Sequence, residues 1–268
     1  MIGGTVHLDL ENAQVAMFAG KNPFMSNGMD QARRFLREIS KDPNRTLIVL
    51  DPRKTESADY ADIHLAVKPG RDAWCLAAIM AHMAQNNLFP VDWLEQHSNG
   101  YQEIISHFKK VSVDQYAEFS GVETELIKRT AQVIASASSF SLEEDIGVQM
   151  APHSTLVTYL NFLMSLMTGN YGKEGTMMMA TQLVDILPTD IVPLDENQTE
   201  ISRRSLPVTK APIISGLFPG NFLAEEILND NEDRARALIV ESSNPVHSLS
   251  DAKKLSKAIR SLECSVVI

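Results

Sequence analysis

Short apolar runs alternate with amphipathic stretches along the first part of this chain. Val15–Ala19 and Thr46–Leu50 are continuous apolar segments of strand length, which is typical of strands buried on both faces of a parallel sheet. The stretch between them repeats its apolar residues at helical spacing and predicts a helix over residues 30–40. We therefore expect a β-α-β unit whose two strands are parallel neighbours. The apolar positions of the predicted helix are Ala32, Phe35, Leu36 and Ile39.

The same periodicities predict further elements downstream. A helix opens near Asp72, and a Ser-x-x-Glu capping box at Ser120–Glu123 starts another, with a stripe of Leu126, Ile127, Thr130, Ile134 and Ala137. A short strand at residues 140–142 precedes an apolar helix that stops at Gly169-Asn170. The stripe of that last helix is Leu156, Tyr159, Leu160, Leu163, Met164 and Met167.

Residues 182–211 differ in character, because repeated prolines and acidic residues exclude a helix. After them the pattern predicts a helix at 221–229, a strand at 237–240, a helix at 251–262 and a strand at 265–268. The sequence thus favours an α/β protein: a Rossmann-like parallel-sheet domain over 1–182, a linker or long loop over 183–211, and part of a second α/β domain over 212–268. Because the last strand directly follows an α-β unit, we expect the second domain to be incomplete. The apolar faces of Leu238, Val240, Val266 and Val267 would then be exposed, which predicts self-association or local disorder from about Pro212 onward.

Composition narrows the function classes. The 268 residues are 44% hydrophobic, enough for a sizeable core, and the net charge of −10 argues against a nucleic-acid partner. No apolar run approaches the ~20 residues of a membrane span, and no signal peptide is visible, so we expect a cytoplasmic protein. The two cysteines, Cys75 and Cys264, are expected to be buried thiols. Without a Cys-x-x-Cys pair, we predict neither a structural zinc ribbon nor an iron–sulfur cluster within this chain.

Polar residues follow the two predicted parallel strands, where such sheets bind nucleotides. Asn22 and Ser26 lie in the turn after the first strand and suit a phosphate group, although an Asn-Pro pair is equally typical of a simple chain reversal. Asp51 ends the second strand and can accept from a ribose diol, and Arg53 can face a diphosphate. Alternatively, this segment is a solvent-exposed turn of mixed charge that binds no ligand.

Two more polar residues extend the pattern. Asp72 can accept from the N1–H and exocyclic amine of guanine, but it is also a plausible N-cap for the helix that begins there. Asn244 lies in a second Asn-Pro loop after the later strand, which suggests a second nucleotide half-site.

These segments together resemble the molybdopterin-dinucleotide oxidoreductases, the family of formate dehydrogenases, nitrate reductases and dimethyl sulfoxide reductase. The resemblance implies a molybdopterin guanine dinucleotide with Mo or W, whose guanosine part meets Asp51 and Asp72. It also suggests that Gln149 or His153 approaches the pterin, unless Ser154 or Thr155 merely caps the next helix. The matching segments are Asn22-Pro23, Leu47–Leu65, Lys68–Asp72, Leu166–Gly175 and Glu241–Pro245.

The resemblance also indicates what lies elsewhere. The family's iron–sulfur segment, metal-ligating residue and C-terminal cap have no counterpart here, so we expect a central fragment whose partners are the rest of the same enzyme chain and a small-molecule substrate. Thr176–Gln182 holds no basic residue where formate dehydrogenases carry a catalytic arginine, which disfavours formate. A nicotinamide-dependent dehydrogenase is disfavoured because Gly20–Ser26 lacks a Gly-x-Gly-x-x-Gly turn. A metal-free nucleotide-binding or chaperone-like module of the same fold stays open.

Overall fold

The computed structural model describes residues 6–26, 28–179, 205–213 and 217–268. The chain divides into two compact units: Val6–Met179, termed the N-terminal unit, and Met1–Thr5 with Ala180–Ile268, termed the C-terminal unit. The predicted linker lies outside the described residues as far as residue 204, so its extent stays a prediction.

A four-stranded parallel sheet forms the centre of the N-terminal unit. Its order is β4-β3-β2-β5, so the first strand of the predicted β-α-β unit has neighbours on both sides. Both strands of that unit and the short strand near residue 140 are confirmed. A separate antiparallel pair, which the pattern did not predict, joins β1 to β6. The bounds are β1 Val6–Leu8, β2 Val15–Ala19, β3 Thr46–Leu50, β4 Ile63–Leu65, β5 Phe140–Glu144 and β6 Met177–Met179.

Helices cover both faces of this sheet, which explains why β2 is apolar at every position and β3 at all but its first. On one face, α1 buries the four predicted positions against β2 and β3. On the other, α2 is enclosed by α4, α5, α6 and α8 and is buried nearly all round. The bounds are α1 Ala32–Ile39, α2 Asp72–Gln85, α3 Val91–His97, α4 Tyr101–Lys109, α5 Val113–Ser120, α6 Thr124–Ser136, α7 Ile146–Gln149 and α8 Ser154–Met167.

The predicted helix starts were less accurate than the helices themselves. The capping box is wrong: Ser120 ends α5, and its hydroxyl donates to the Ala117 carbonyl and accepts from the Val122 N–H. Gly121, with a φ of 82°, adopts the left-handed conformation and ends α5. Ser120 is therefore the last residue of α5 and does not cap the next helix. Capping of α8 by Ser154 or Thr155 is also wrong, because His153 occupies the N-cap and no side chain caps the helix.

The buried face of α8 is narrower than its apolar stripe. Leu160, Met164 and Met167 are buried as predicted, whereas Leu156 and Tyr159 are exposed. The helix packs on the sheet along one face only, and its apolar residues extend round to a second face.

The C-terminal unit contains a parallel pair of strands with helices packed on one side. Its bounds are α9 Leu223–Ile227, β7 Ala237–Val240, α10 Pro245–Ser248, α11 Ala252–Arg260 and β8 Cys264–Val267. Leu238 packs against the small core formed by α9 and α11, and Val240 is buried, so its predicted exposure is wrong. Alternation of side chains along a strand places Ile239 and the partner-strand residues Cys264 and Val266 on the outer face. All four residues of β8 are exposed, so Cys264 is exposed, contrary to prediction, while Cys75 is buried.

No helix in the described ranges is both long enough and apolar enough to cross a lipid bilayer.

Candidate functional site

The carboxyl ends of the parallel strands bring several loops together. β2 connects forward to β3 on one side, and the chain returns much later to place β5 on its other side. This arrangement is a topological switch point, where open parallel sheets form their ligand crevice. The loops after β2, β3 and β5 therefore converge on one edge, termed the carboxyl edge.

Two glycines allow the loops after β2 and β5 to touch. The Gly147 N–H donates to the Gly20 carbonyl at 3.0 Å. A Cβ atom at Gly20 would lie 2.5 Å from the Val148 nitrogen, and one at Gly147 would lie 2.5 Å from the Gly20 oxygen. Gly20 also has a φ of +59°, which favours glycine in its own right. Only glycine at both positions permits this backbone contact.

Lys21 is a buried residue at the carboxyl edge that sequence reasoning missed. Its ammonium group is nearly buried and lies 2.9 Å from Glu143 Oε1 and 3.0 Å from Asp145 Oδ2. Burial acts to lower the pKa of Lys21, but the hydrogen bonds and charges of the two carboxylates outweigh it, and the net shift is upward. The only available signal was a lone lysine in a small loop and an acidic run at the end of a later strand.

Asn22 joins the loops after β2 and β3. Its amide nitrogen donates to Glu56 Oε2 at 2.7 Å, and its amide oxygen accepts from the Ser57 hydroxyl at 2.6 Å. The Asn22 carbonyl accepts from the Ser26 N–H at 2.9 Å and so closes the turn. Ser26 itself is exposed at the carboxyl edge. The side chain of Asn22 thus shapes the loop through protein partners.

Asp51 organises the turn after β3. Its Oδ1 accepts from the Arg53 N–H at 2.9 Å, a contact that turns the chain locally. Arg53 is exposed, with its guanidinium group 3.8 Å from Glu56. The Glu56 pKa is lowered by its own backbone N–H and by the Asn22 amide. Asn22, Asp51 and Arg53 therefore belong to one connected group of contacts.

Asp72 is a buried carboxylate at the first position of α2. It is only 3% exposed, and the N-cap is Arg71 with no side-chain capping bond, so the N-cap reading of Asp72 is wrong. Burial raises its pKa, as does the nearby charge of Asp51, whereas its own N–H acts in the opposite direction. Among the described residues no lysine, arginine or histidine forms an ion pair with it. An ionisable group buried without a counter-charge is costly, which marks it as a functional candidate.

The loop after β5 packs beside the start of α2. Pro152 lies against Gly70, where a Cβ would come within 3.1 Å of its ring. The Trp74 ring lies 5.9 Å from the His153 ring and 5.7 Å from the Arg71 guanidinium carbon. Gln149, the last residue of α7, is exposed at this edge.

Asn244 lies in the C-terminal unit. Its Oδ1 accepts from the His247 N–H at 3.3 Å and caps α10. The second Asn-Pro loop is thus a strand-to-helix turn, as its sequence suggested.

A family model described as Molybdopterin oxidoreductase matches residues 2–268. The chain belongs to the molybdopterin oxidoreductase family. It is 25% identical over 264 residues to the F420-dependent formate dehydrogenase subunit alpha of Methanocaldococcus jannaschii, covering 97% of this chain and 39% of that protein. It is 28% identical over 136 residues to the assimilatory nitrate reductase catalytic subunit of Bacillus subtilis, covering 51% of this chain and 19% of that protein.

A solved structure supports the same fold. Acetylene hydratase from Pelobacter acetylenicus superposes with a TM-score of 0.74 at 18% identity, covering 99% of this chain and 40% of that one. The chain therefore spans well under half the length of these relatives. The family and the α/β fold that the sequence suggested are confirmed.

Membership of the molybdopterin oxidoreductase family implies a pterin cofactor with Mo or W, and two features of the carboxyl edge fit such a group. The buried Asp72 carboxylate has no counter-charge within the described ranges and can accept hydrogen bonds. Gly20 and Gly147 leave backbone rather than side chains at the crevice. A buried carboxylate beside loops that approach through backbone atoms suits the polar groups of such a cofactor.

One segment that carries the family resemblance lies at the opposite edge of the sheet. Asn170, from the Thr-Gly-Asn-x-Gly loop, is buried and accepts from the Phe140 N–H at 2.9 Å, where β5 begins. The Gly175 N–H donates to Asp9 Oδ2 at 2.8 Å in the same region. Asn170 and Gly175 therefore stabilise the amino edge of the sheet and do not lie at the carboxyl edge.

Proposed function

We propose that the carboxyl edge of the N-terminal unit binds the guanosine diphosphate portion of a molybdopterin guanine dinucleotide. The observation that supports this most directly is the buried carboxylate of Asp72 beside Asp51, which forms no ion pair with any residue that the structure describes. Asp72 is held at the start of α2, which is itself packed on all sides, so its position is preorganised.

Guanine is the base that matches this carboxylate. Its N1–H and exocyclic amine are neighbouring donors that one carboxylate can accept together, whereas adenine presents an acceptor at N1. Donation from the base favours the ionised form of Asp72 and opposes the effect of burial on its pKa. Binding therefore relieves a cost that is present in the free protein.

The other residues take complementary roles in this proposal. Asp51 accepts from the ribose diol through the oxygen that does not bind Arg53, while Arg53 and the exposed Ser26 face the diphosphate. Asn22 sets the shape of the phosphate loop through Glu56 and Ser57.

Beyond the first half-site, we propose that Gln149 approaches the pterin and that Asn244 belongs to the loop for a second pterin dinucleotide. The bound Mo or W supplies two-electron redox chemistry. In this proposal the chain is part of a longer oxidoreductase that acts on a small-molecule substrate, with any iron–sulfur cluster held outside these residues. The substrate is left open.

Calorimetric titration with GDP and ADP tests the nucleotide site. We expect GDP to bind at least about tenfold more tightly than ADP, since an unmatched buried acceptor is strongly disfavoured. Asp72→Asn should remove most of this preference, because the amide can accept only one of the two hydrogen bonds.

Asp62→Asn provides the matched control. Asp62 accepts from the Leu47 N–H at 2.8 Å at the amino end of β3, so its replacement removes the same charge at the other edge of the sheet. Equal affinities for GDP and ADP in the unmodified chain would refute the proposed site. An unchanged preference in Asp72→Asn would assign guanine selection to another residue.

A further inference from the structure

We infer that Lys21 is a positioning residue for this site, holding the loop after β2 and the loop after β5 at a fixed separation. The inference rests on the proposed nucleotide-binding function of the carboxyl edge. Lys21 stands between Gly20, which touches Gly147 through the backbone, and Asn22, which binds Glu56 and Ser57. Lys21 therefore lies between neighbours that contact the loops after β3 and β5, and its own ammonium group binds the end of β5.

The burial of Lys21 shows that its contacts are specific. The side chain is 4% exposed and points to Glu143 and Asp145, which are 21% and 27% exposed. Burying an ammonium group is costly unless it is paired and hydrogen-bonded, and here both carboxylates supply partners. The pair of bonds links the loop after β2 to the last residues of β5 and the residue that follows.

Asp145 connects Lys21 to the start of α7. While its Oδ2 accepts from Lys21, its Oδ1 accepts from the Ile146 N–H at 2.7 Å and caps the helix. The helix ends at Gln149, so a single carboxylate connects Lys21 to the segment that carries a proposed cofactor contact.

Lys21 acts through these loops and not by touching phosphate. Its one positive charge is matched by two carboxylates, and the buried ammonium group has no exposed face toward an anion. Lys21 therefore contributes to nucleotide binding through the loop geometry that it fixes.

The test compares Lys21→Met with the double variant Lys21→Met, Glu143→Gln in the full chain. Lys21→Met leaves two carboxylates facing each other and should lower both stability and GDP affinity. The double variant relieves that repulsion without restoring a link to Asp145. We expect its stability to recover toward the unmodified chain, while GDP binding stays weaker by roughly tenfold. Amide hydrogen exchange should accelerate at residues 22–26 and 146–149 and stay unchanged in β3.

Asp145→Asn gives an independent variant that keeps the Lys21–Glu143 bond and an acceptor for the Ile146 N–H. We expect GDP binding to be weaker, as in Lys21→Met, with little change in the free energy of unfolding. Recovery of GDP affinity together with stability in the double variant would show that Lys21 serves the fold alone and overturn the inference. Failure of the nucleotide proposal is distinguishable, because the unmodified chain would then show no GDP preference at all.

Discussion

Asp72 illustrates a conflict that operates at the scale of one residue. Its burial at the start of α2 favours the neutral acid, whereas the proposed contact with guanine needs the carboxylate. Sites that bind or react commonly retain such unfavourable groups at the expense of stability. The conflict is visible only in the folded chain, because no local pattern distinguishes a buried aspartate at a helix start from an exposed one.

We predict that Asp72→Asn stabilises the protein near neutral pH by an amount on the order of 1 kcal/mol. The native pKa of Asp72 is raised above the ordinary value of 3.8, so the native state holds this proton more tightly than the unfolded chain. The contribution of Asp72 to the free energy of unfolding therefore decreases as the pH rises from about its ordinary pKa through its native pKa. Urea denaturation followed by tryptophan fluorescence between pH 4 and 7 should show a smaller decline in Asp72→Asn. Parallel pH curves for the two proteins would contradict this.

The glycine contact at the crevice gives a second prediction. Gly20→Ala should cost about 1–3 kcal/mol more than Gly100→Ala, because both glycines have positive φ but only a Cβ at Gly20 meets backbone atoms. At Gly100 nothing lies within 4 Å of the added atom. Fluorescence of Trp74 and Trp93 reports unfolding of the N-terminal unit for both variants. Equal losses would mean that the loops after β2 and β5 separate freely.

At the scale of elements, strong periodicity predicted the structure well and short-range signals did not. The buried face of α1 and the strands β2, β3 and β5 follow directly from apolar spacing, because each packs on a continuous core. The predicted capping box is wrong because Gly121 ends α5, so that Ser120 is the last residue of that helix and not the N-cap of the next one. Lys21 was missed because its partners lie at the end of β5 and directly after it, and pairing across that sequence separation leaves no trace in local sequence.

Asn170 allows the role of one such long-range contact to be measured. Asn170→Ala should destabilise the N-terminal unit by about 1–3 kcal/mol, since the buried Phe140 N–H loses its acceptor. GDP affinity should not change, because the contact lies at the amino edge of the sheet. Asn86→Ala is the control: this exposed amide binds its own helix at His82, and its loss should stay within about 0.5 kcal/mol. Weaker GDP binding in Asn170→Ala would contradict a purely structural role.

The two units of the molecule differ in how much of their apolar surface is buried in a core. The N-terminal unit buries its sheet on both faces, and the sequence patterns predicted this organisation. The C-terminal unit has a small core around Leu255, while Ile239 and Val267 are 70% and 75% exposed. Which face of that sheet is covered could not be deduced from sequence, because both strands are apolar on each side.

We expect the chain to self-associate through the outer face of β7 and β8. Ile239→Glu should reduce association, measured by light scattering over a range of protein concentrations, since a charge on an exposed apolar strand opposes pairing with another chain. Val91→Glu, which changes an exposed apolar residue on α3, should leave association unaffected. A monomeric chain at all concentrations would refute this expectation.

The position of β2 between β3 and β5 also has a consequence for how the protein folds. Its pairing with β3 needs only the intervening α1, whereas its pairing with β5 must wait for β4 and for α2, α3, α4, α5 and α6. Pairings that close long loops are slow, and an unpaired strand is prone to aggregate meanwhile. During synthesis on the ribosome, one side of β2 therefore stays open until all five helices have emerged. The contact between Lys21 and Asp145 thus forms only after the pairing of β2 with β3 has become possible.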